Sequence, residues 1–338
     1  MKVVKAGHER IYDKDFASPL QKIERIARIC YKSEELITKN SYLNMTKKLL
    51  ERQHMAMFEH ASLVFEVDEI TYQSIEDAIT TMTSVIDDVT SIMNICRIRK
   101  TRTCISATEE RFIISANIRA YYEFFTKAVE FRVHNDSICK LYWKVNSRID
   151  NIFEIPEYDV PAAPWSIKEV RDITQLTWPE RLIHETVSVI FTCDRGVTHE
   201  LVRMRDSSFA QESTRYCNYQ LGKFGSEITF IKPLFFEEGS YLYAQWESAM
   251  SNTEMAYNNL IAGGAVPQEA RTVLPQSVKA DIALTTNLYE WRHILNLRAC
   301  DATGPAHPQM KEVMVPLFLE FKEEYAPILT QLELPENK

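Results

Sequence analysis

The chain has 338 residues, of which 45% are hydrophobic and 25% charged, and its formal net charge is −8. This composition is typical of a globular protein, and the length allows one large domain or two ordinary ones with an ample core. The acidic balance argues against duplex nucleic acid as a partner, because that binding depends on neutralising phosphates with lysine and arginine.

We predict a cytoplasmic protein without a signal peptide, a membrane span or a metal site. Residues 1–15 are charged, and no apolar run approaches the length of a membrane span. Seven cysteines are scattered without a C-x-x-C pair, which is typical of reduced thiols. The pair His199-Glu200 begins like H-E-x-x-H, but Arg203 occupies the second histidine position, which excludes that zinc motif.

The N-terminal part predicts helices followed by a strand. Ser18-Pro19 is a typical helix start. Residues 53–67, QHMAMFEHASLVFEV, end in an alternating pattern that predicts a strand. For His60, at the start of that strand, a structural role is favoured. For His54, a structural and a ligand-binding role are about equally favoured.

The region from about residue 70 to residue 180 has weaker patterns. Helices are predicted over residues 72–88 and 116–131, around a basic patch at residues 97–102. The segment NIRAYYEFF, residues 117–125, echoes NLYEWRHIL, residues 287–295. The favoured interpretation of this echo is two similar amphipathic helices.

The densest group of polar residues is DRGVTHELVRMRDSSFAQESTRY, residues 194–216. It follows an apolar run, residues 186–192, that predicts a buried strand. Guanidinium groups form bidentate hydrogen bonds with phosphate oxygens, so this segment suits a phosphorylated small molecule. On composition alone, a surface network in which acidic residues neutralise the arginines is about equally favoured.

A second polar motif lies in residues 265–301. One stripe of a predicted helix is formed by Asn287, Trp291, Ile294 and Arg298. That stripe spans roughly 16 Å, enough to contact both ends of a dinucleotide cofactor. The alternative, which the residues alone favour, is a core stripe with a polar residue at each end.

Taken together, these motifs resemble the signature of the flavin-dependent thymidylate synthases, the ThyX family. In the arginine motif the matching residues are Arg203, Arg205, Ser208, Gln211, Ser213, Arg215 and Tyr216. In the N-terminal motif they are His54, Glu59 and His60, and the C-terminal motif matches as R-x-V-L-P followed by N-L-x-x-W-R-H-x-L-x-L-R. The departures from the usual pattern are Gln53, Met55, Met204 and Tyr289.

The resemblance implies an α+β (mixed α/β) fold with a ThyX-like central sheet flanked by helices. In compact family members the strand after the Glu-His pair runs almost directly into the arginine loop, whereas over a hundred residues intervene here. We therefore predict a catalytic domain formed by residues 1–70 and 181–338, and an inserted, mainly helical subdomain over residues 71–180.

The resemblance also implies an activity: an FAD-dependent thymidylate synthase that converts dUMP to dTMP. Methylene-tetrahydrofolate would donate the carbon, reduced FAD the hydride, and NADPH would re-reduce the flavin. The enzyme would be a homotetramer with active sites shared between subunits. Two alternatives remain: a related flavin- and folate-dependent enzyme that leaves a hydroxymethyl group on a pyrimidine nucleotide, and a non-catalytic nucleotide-binding assembly protein.

Site residues follow from the resemblance by matching position. The dUMP-binding residues would be Glu200, Gln211, Ser213, Thr214, Arg215, Arg271 and Arg298. The FAD-binding residues would be His54, Arg203, Met204, Arg205, Ser208, Gln211, Asn287 and His293. The catalytic residues would be Arg298, Ser213 and Arg215, with Arg298 stabilising negative charge on the uracil ring. Arg271 would reach in from a neighbouring subunit, and neither Cys193 nor Cys217 is expected to act as a thiolate.

Overall fold

The computed structural model describes residues 1–162, 166–215 and 227–335. Helices and strands alternate along the chain, which confirms the predicted α+β class. Within the described residues, the strands are β1 (Lys2–Val4), β2 (Gly7–Ile11), β3 (Ser62–Val67), β4 (Arg99–Cys104), β5 (Glu110–Asn117), β6 (Lys168–Glu169), β7 (Thr186–Asp194), β8 (Ser208–Gln211), β9 (Thr229–Ile231) and β10 (Lys279–Asn287).

The α-helices of the same described ranges are α1 (Pro19–Tyr31), α2 (Ser41–Glu51), α3 (Glu69–Val85), α4 (Val89–Ile95), α5 (Ile118–Glu130), α6 (Asp136–Arg148), α7 (Trp178–His184), α8 (Arg195–Leu201), α9 (Tyr241–Ala262), α10 (Pro267–Ala270), α11 (Leu288–Arg298), α12 (Pro308–Glu324) and α13 (Ala326–Leu329). In this part of the chain, no helix combines the length and the apolar character that crossing a bilayer requires.

Side-chain caps fix several helix starts. The Ser18 hydroxyl accepts a hydrogen bond from the backbone N–H of Leu20, and Gln21 completes a capping box, so α1 begins where the sequence predicts. Asn117 caps α5 and Asn287 caps α11, each directly at the end of a strand. Since the first N–H groups of a helix have no partner within it, these asparagines set the point at which strand becomes helix.

Two four-stranded sheets form the framework. The N-terminal sheet has the strand order β4-β5-β3-β6, and the C-terminal sheet has the order β2-β7-β10-β8. All neighbours in both sheets are antiparallel. A short parallel pair, β1 with β9, lies apart from them.

Three strands of each sheet have the same connectivity and central register, with β3, β4 and β5 corresponding to β7, β8 and β10. The fourth strand differs, because β6 follows the other strands of its sheet in the chain and β2 precedes them. In the C-terminal sheet Thr186, the first residue of β7, lies opposite the capping Asn287. In the N-terminal sheet Ser62, the first residue of β3, lies opposite the capping Asn117. The echoing segments therefore form helices, as predicted, and these helices also follow equivalent strands, which the sequence interpretation missed.

Side-chain burial extends this equivalence into α5 and α11. The fully buried pairs at corresponding positions are Ile118 with Leu288, Tyr121 with Trp291, Phe124 with Ile294, and Phe125 with Leu295. The Tyr121 hydroxyl donates to the carbonyl of Leu63 at 3.3 Å, and the Trp291 ring N–H donates to the carbonyl of Val187 at 3.0 Å. Each helix is thus tied to the second residue of the corresponding strand.

The division into a catalytic domain and an inserted subdomain, with boundaries near residues 70 and 180, stays a prediction. The N-terminal sheet contains strands from both sides of the first boundary. β3 lies before residue 70, and it pairs along its whole length with β5, which lies beyond it. Four residues of the basic patch, 99–102, belong to β4, which begins at Arg99. The segment between the boundaries therefore combines helices with three strands of a sheet that also contains β3.

Each sheet has its own hydrophobic core. The cluster on the N-terminal sheet contains residues of β3, β5, α3, α5 and α6, and the cluster on the C-terminal sheet contains residues of β7, β10, α11 and α12. Helix α1 belongs to both halves, because Leu20 and Ile23 lie in the first cluster whereas Ile26 packs with Ile190 of β7. The two sheets are therefore joined around α1.

Candidate functional site

The arginine motif starts at the end of β7, forms α8 and continues into β8. The Oδ1 atom of Asp194 accepts a hydrogen bond from the N–H of Val197 at 2.8 Å and caps α8. Strand β8 then pairs with β10, so that Ser208 lies opposite Thr285 and Gln211 lies opposite Ile282. The C-terminal sheet thus fixes both ends of the motif's central segment.

Between α8 and β8, the two arginines of the R-x-R motif face solvent and the residue between them is buried. Arg203 and Arg205 are exposed, whereas Met204 is 9% exposed and lies in the C-terminal hydrophobic cluster. A thioether suits that position, since a buried imidazole needs hydrogen-bond partners. Met204 has a packing role within the chain, and its predicted contact with FAD stays a prediction.

Ser208 belongs to a charged network that reaches the N-terminal half. Its hydroxyl donates to Oε2 of Glu59 at 2.8 Å, and the same carboxylate is bound by Arg97 at 2.5 Å and Arg119 at 2.8 Å. Burial alone would raise the pKa of Glu59, but Arg97, the Ser208 hydroxyl and Arg119 together hold that pKa below its ordinary value. The sequence interpretation noticed Arg97 only as part of a basic patch and missed Arg119.

A cluster of buried ions lies behind the serine–arginine loop. Glu212 is 2% exposed, and its carboxylate is bound by Lys279 at 3.0 Å. Lys279 and Lys32 both bind Asp281, and the Thr192 hydroxyl donates to Asp281 at 2.7 Å. Although burial opposes ionisation, the two lysines hold the pKa of Asp281 below its ordinary value. This cluster fixes the backbone on which the predicted nucleotide-binding residues follow.

The predicted nucleotide-binding residues of this loop are held from both sides. The Gln211 side chain donates to the Thr198 hydroxyl of α8 at 2.9 Å, and the N–H of Ser213 donates to the carbonyl of Cys30 at 3.1 Å. Thr214 is buried, and the Arg215 side chain is exposed. Tyr216 and Cys217 lie outside the described residues. The loop therefore presents Arg215 at the surface from a well-anchored backbone.

Arg298 and Glu200, both predicted to bind dUMP, lie together. A guanidinium nitrogen of Arg298 is 3.6 Å from Oε2 of Glu200. The buried Nε of Arg298 has no hydrogen-bond partner among the described residues. A buried donor without a partner is costly, so this atom is suited to a ligand acceptor.

The remaining predicted site residues are more widely spread. Asn287 is buried and makes two hydrogen bonds within the chain: it accepts from the N–H of Glu290 at 3.0 Å and donates to the carbonyl of Ile183 at 3.1 Å. His293 is exposed on α11, and Arg271 is exposed just after α10. Asn287 thus serves as a helix cap here, and its predicted contact with FAD stays a prediction.

His54 lies at a separate cavity of about 440 Å³ next to the loop. Cys30, whose carbonyl receives the Ser213 N–H, also lines this cavity. Burial raises the pKa of the Cys30 thiol to about 11, and it also raises that of Cys193. Neither thiol is therefore ionised near neutral pH, as the sequence predicted for Cys193. No group of three or more potential metal ligands is found within the described ranges.

Comparison with known proteins places the matched region in the second half of the chain. Residues 173–327 match the family model of the thymidylate synthase complementing proteins. A flavin-dependent thymidylate synthase from Pyrococcus abyssi is 35% identical over 144 residues, which is 42% of this chain and 57% of the relative. The enzyme of the same name from Thermococcus kodakarensis is 34% identical over 156 residues, covering 45% and 62% of the two chains. This chain thus spans about three fifths of the length of the curated relatives it matches.

Two solved structures of a UMP/dUMP methylase, PolB from Streptomyces cacaoi, are also similar. The form bound with 5-Br UMP has a TM-score of 0.38 at 12% identity and covers 96% of this chain and 92% of that one. The form bound with 5-Br dUMP has a TM-score of 0.40 at 14% identity and covers 99% and 100%.

These findings confirm the predicted resemblance to the ThyX family where it concerns the arginine motif and the C-terminal motif. The N-terminal segment in which the sequence also resembles the family, residues 18–67, lies before the region matched by the family model.

Proposed function

We propose that this protein is a flavin-dependent thymidylate synthase that methylates dUMP to dTMP. Methylene-tetrahydrofolate would be the carbon donor and NADPH the reductant of the flavin. The observation that carries the proposal is the placement of the matched arginine motif: β8 pairing and the buried ion cluster anchor the backbone that presents Arg215. Apart from Lys32, the residues of both anchors belong to the region that matches the family model.

The nucleotide would be bound from the C-terminal half. Ser213 and Arg215 suit the phosphate and the base of dUMP, because a hydroxyl and a forked guanidinium bind oxyanions with directed hydrogen bonds. Arg298 would lie beside the pyrimidine, held near Glu200, with its free Nε aimed at a ligand atom. In that position it would stabilise negative charge that develops on the ring.

The residues on the flavin side fit a cofactor that carries a diphosphate. Arg203 and Arg205 are exposed shortly before β8, and His54 lies at the cavity of about 440 Å³. When bound, FAD would supply hydride transfer, which no side chain can perform. The protein would bind and orient the cofactor and exclude water around the nucleotide.

The assembly we propose is a cytoplasmic homotetramer with shared sites. Arg271 is exposed in the short helical segment that follows α10. A closed symmetric assembly would bring this arginine to the nucleotide of a neighbouring subunit. The relatives are named as thymidylate synthases, so neither the hydroxymethylating enzyme nor the non-catalytic assembly protein is favoured.

Product analysis tests the proposal. The purified protein is incubated with dUMP, methylene-tetrahydrofolate, NADPH and FAD, and the nucleotides are identified by mass. We expect dTMP, in an amount that depends on added or bound FAD. Hydroxymethyl-dUMP as the product would replace the proposed reaction with the first alternative. A folded protein that neither binds FAD nor consumes dUMP would instead support the second alternative, a non-catalytic nucleotide-binding assembly protein.

A further inference from the structure

The two halves meet at a seam where equivalent residues make reciprocal contacts. The ring Nδ1 of His60, just before β3, is 2.8 Å from the Thr285 hydroxyl of the C-terminal sheet. The ring Nδ1 of His184, just before β7, is 2.7 Å from the Ser115 hydroxyl of the N-terminal sheet. Thr285 and Ser115 each precede a capping asparagine by two residues. Such exchange of equivalent contacts is the pattern of a two-fold interface, here within one chain.

The N-terminal half also has its own R-x-R motif. Arg97 and Ile98 directly precede the outer strand β4 and Arg99 begins it, whereas Arg203, Met204 and Arg205 end three residues before the outer strand β8. Ile98 is buried, like Met204. The difference is that Arg97 and Arg99 lie at the seam and not at the outer surface.

A cavity of about 130 Å³ lies at this seam. It is lined from the N-terminal half by Ser62, Arg99 and Asn117, and from the C-terminal half by Thr186, Asp206 and Ser208. Ser62 and Thr186 are the equivalent first residues of β3 and β7, so a hydroxyl-bearing residue lines the cavity from each sheet.

Arg99 has no ion-pair partner at this cavity. Arg97 and Arg119 share the carboxylate of Glu59, whereas Arg99 has no carboxylate oxygen within 4.0 Å among the described residues. Burial lowers the pKa of Arg99, and the charge of Asp206 only partly offsets this. A desolvated guanidinium without a paired anion is unfavourable in the empty protein, and it is a common feature of ligand sites.

We propose that the seam cavity binds a phosphate group through the guanidinium of Arg99, with the Ser62 and Thr186 hydroxyls as further donors. The charged residues that line the cavity are Arg97, Arg99, Glu59 and Asp206. Glu59 is already bound by Arg97 and Arg119, and Asp206 is exposed to solvent, so the buried charge that lacks a counter-ion is that of Arg99, which favours an anion over a cation. Phosphate fits the forked donors of arginine and accepts from hydroxyl groups on several sides. The phosphate can belong to a flavin dinucleotide, to a nucleotide or to a free anion. The site is distinct from the predicted dUMP loop, which lies in the C-terminal half alone.

Binding measurements on the full chain test the site without using activity. Pyrophosphate, orthophosphate, FAD and dUMP are titrated separately by calorimetry at one low ionic strength. The variants are Arg99→Met and the control Arg102→Met, an exposed arginine of the same strand that pairs with Glu110. We expect at least one phosphate ligand to bind the control like the unmodified protein and to bind Arg99→Met roughly tenfold or more weakly, since a charge-assisted contact is lost.

Two further variants locate the phosphate and keep the test decisive. Arg215→Met should weaken dUMP if dUMP binds the predicted loop, and it should leave the ligand of the seam cavity unaffected. If Arg99→Met does not fold, the double variant Ser62→Ala and Thr186→Ala takes its place, with a weakening of a fewfold expected. The ligand whose affinity falls in these seam-cavity variants identifies the molecule that provides the phosphate group: FAD, a nucleotide or the free anion. Equal affinities across Arg99→Met and Arg102→Met for every ligand, or no phosphate binding by the unmodified protein, would overturn the proposal.

Discussion

Three strands of the N-terminal sheet, β3, β4 and β5, are connected like β7, β8 and β10 of the C-terminal sheet, but the loop between the outer strand and the last central strand differs. In the N-terminal sheet residues 105–109 join β4 to β5, whereas in the C-terminal sheet residues 212–278 join β8 to β10. The longer connection contains the Ser213–Arg215 segment and α9. The shared parts are strands, caps and buried helix faces, and the part that differs carries the predicted nucleotide site, as is common for function built on a framework.

The same contrast is visible at single positions of α5 and α11. Both helices bury the same four positions, but the last residue of α11 is Arg298, and the corresponding residue of α5 is Ala128. The helix needs the buried residues in both halves to pack on its sheet. The arginine occurs at this position only in α11, so Arg298 distinguishes the half with the predicted catalytic residues from the other half.

The largest expected effect on activity comes from replacing Arg298 of α11 with alanine, the residue that α5 has at the corresponding position, Ala128. We expect Arg298→Ala to lower kcat/KM for dUMP by about 10²–10³-fold, because a donor aimed at developing charge is lost. Steady-state kinetics of dTMP formation measure this, with Arg102→Met as the control that retains activity. The thermal unfolding midpoint should change little. Unchanged kinetics in the alanine variant would place the charge-stabilising group elsewhere.

The reciprocal histidines give the next largest effect, as a dependence of stability on pH. Burial lowers the pKa of His60 to about 4, and it lowers that of His184 to about 4 as well. An unfolded histidine titrates near 6.5, so between these values the unfolded state binds more protons. The contribution of each histidine is therefore complete above pH 6.5 and is lost as the pH falls toward 4.

Urea unfolding at pH 7 and pH 5 measures this loss. We expect the free energy of unfolding to fall by about 1–2 kcal/mol for each histidine. The variants His60→Gln and His184→Gln should each show a smaller fall, by similar amounts, because the two positions are equivalent. A fall that disappears entirely in one variant and persists in the other would contradict the reciprocal arrangement.

Met204 tests whether the R-x-R motifs of the two halves share a packing role. The middle residue of the N-terminal R-x-R motif, Ile98, is also buried. We expect Met204→His to lower the free energy of unfolding by about 1–3 kcal/mol, since a polar ring would enter an apolar cluster. Met204→Ile, which copies the N-terminal half, should cost less than about 1.5 kcal/mol. Chemical denaturation compares the two. Tighter FAD binding by a stable histidine variant would show that this side chain reaches the cofactor.

Sequence patterns could predict the local elements because their signals are local. Ser18-Pro19 marks the start of α1, and the apolar run at residues 186–192 marks β7. The pairing of β4 with β5 could not be predicted in the same way. Strand β4 reads RKTRTC and has almost no apolar residue, so its strand conformation comes from the partner and not from its own pattern.

For the candidate site, the motif indicated which residues belong together along the chain but not what each contacts. Glu59 was matched by its motif, yet its partners Arg97 and Arg119 come from segments that the motif does not include. The motif predicts that Asn287 contacts FAD, but in the structure its amide oxygen caps α11 and its amide nitrogen donates to the Ile183 carbonyl of α7. Such roles depend on tertiary contacts between distant segments, which a single sequence does not show.

The smallest expected effect concerns the hydrogen bonds that tie α5 and α11 to their strands. Tyr121→Phe removes the hydroxyl that donates to the Leu63 carbonyl at 3.3 Å and leaves the buried ring in place. We expect the free energy of unfolding to fall by about 0.5–1 kcal/mol, because the loss is one neutral hydrogen bond and the carbonyl stays in a paired strand.

Trp291→Phe removes the shorter bond to the Val187 carbonyl and also part of a buried ring. Its cost should exceed that of Tyr121→Phe, since ring volume in the C-terminal core is lost as well. Urea unfolding of both variants gives the two values under one condition. If α5 and α11 have the same structural role, which is to hold the sheet against its hydrophobic core, both variants should lose stability without any change in the affinity for FAD. An effect of Tyr121→Phe on FAD affinity, with stability unchanged, would instead connect the N-terminal helix to the cofactor and break the equivalence.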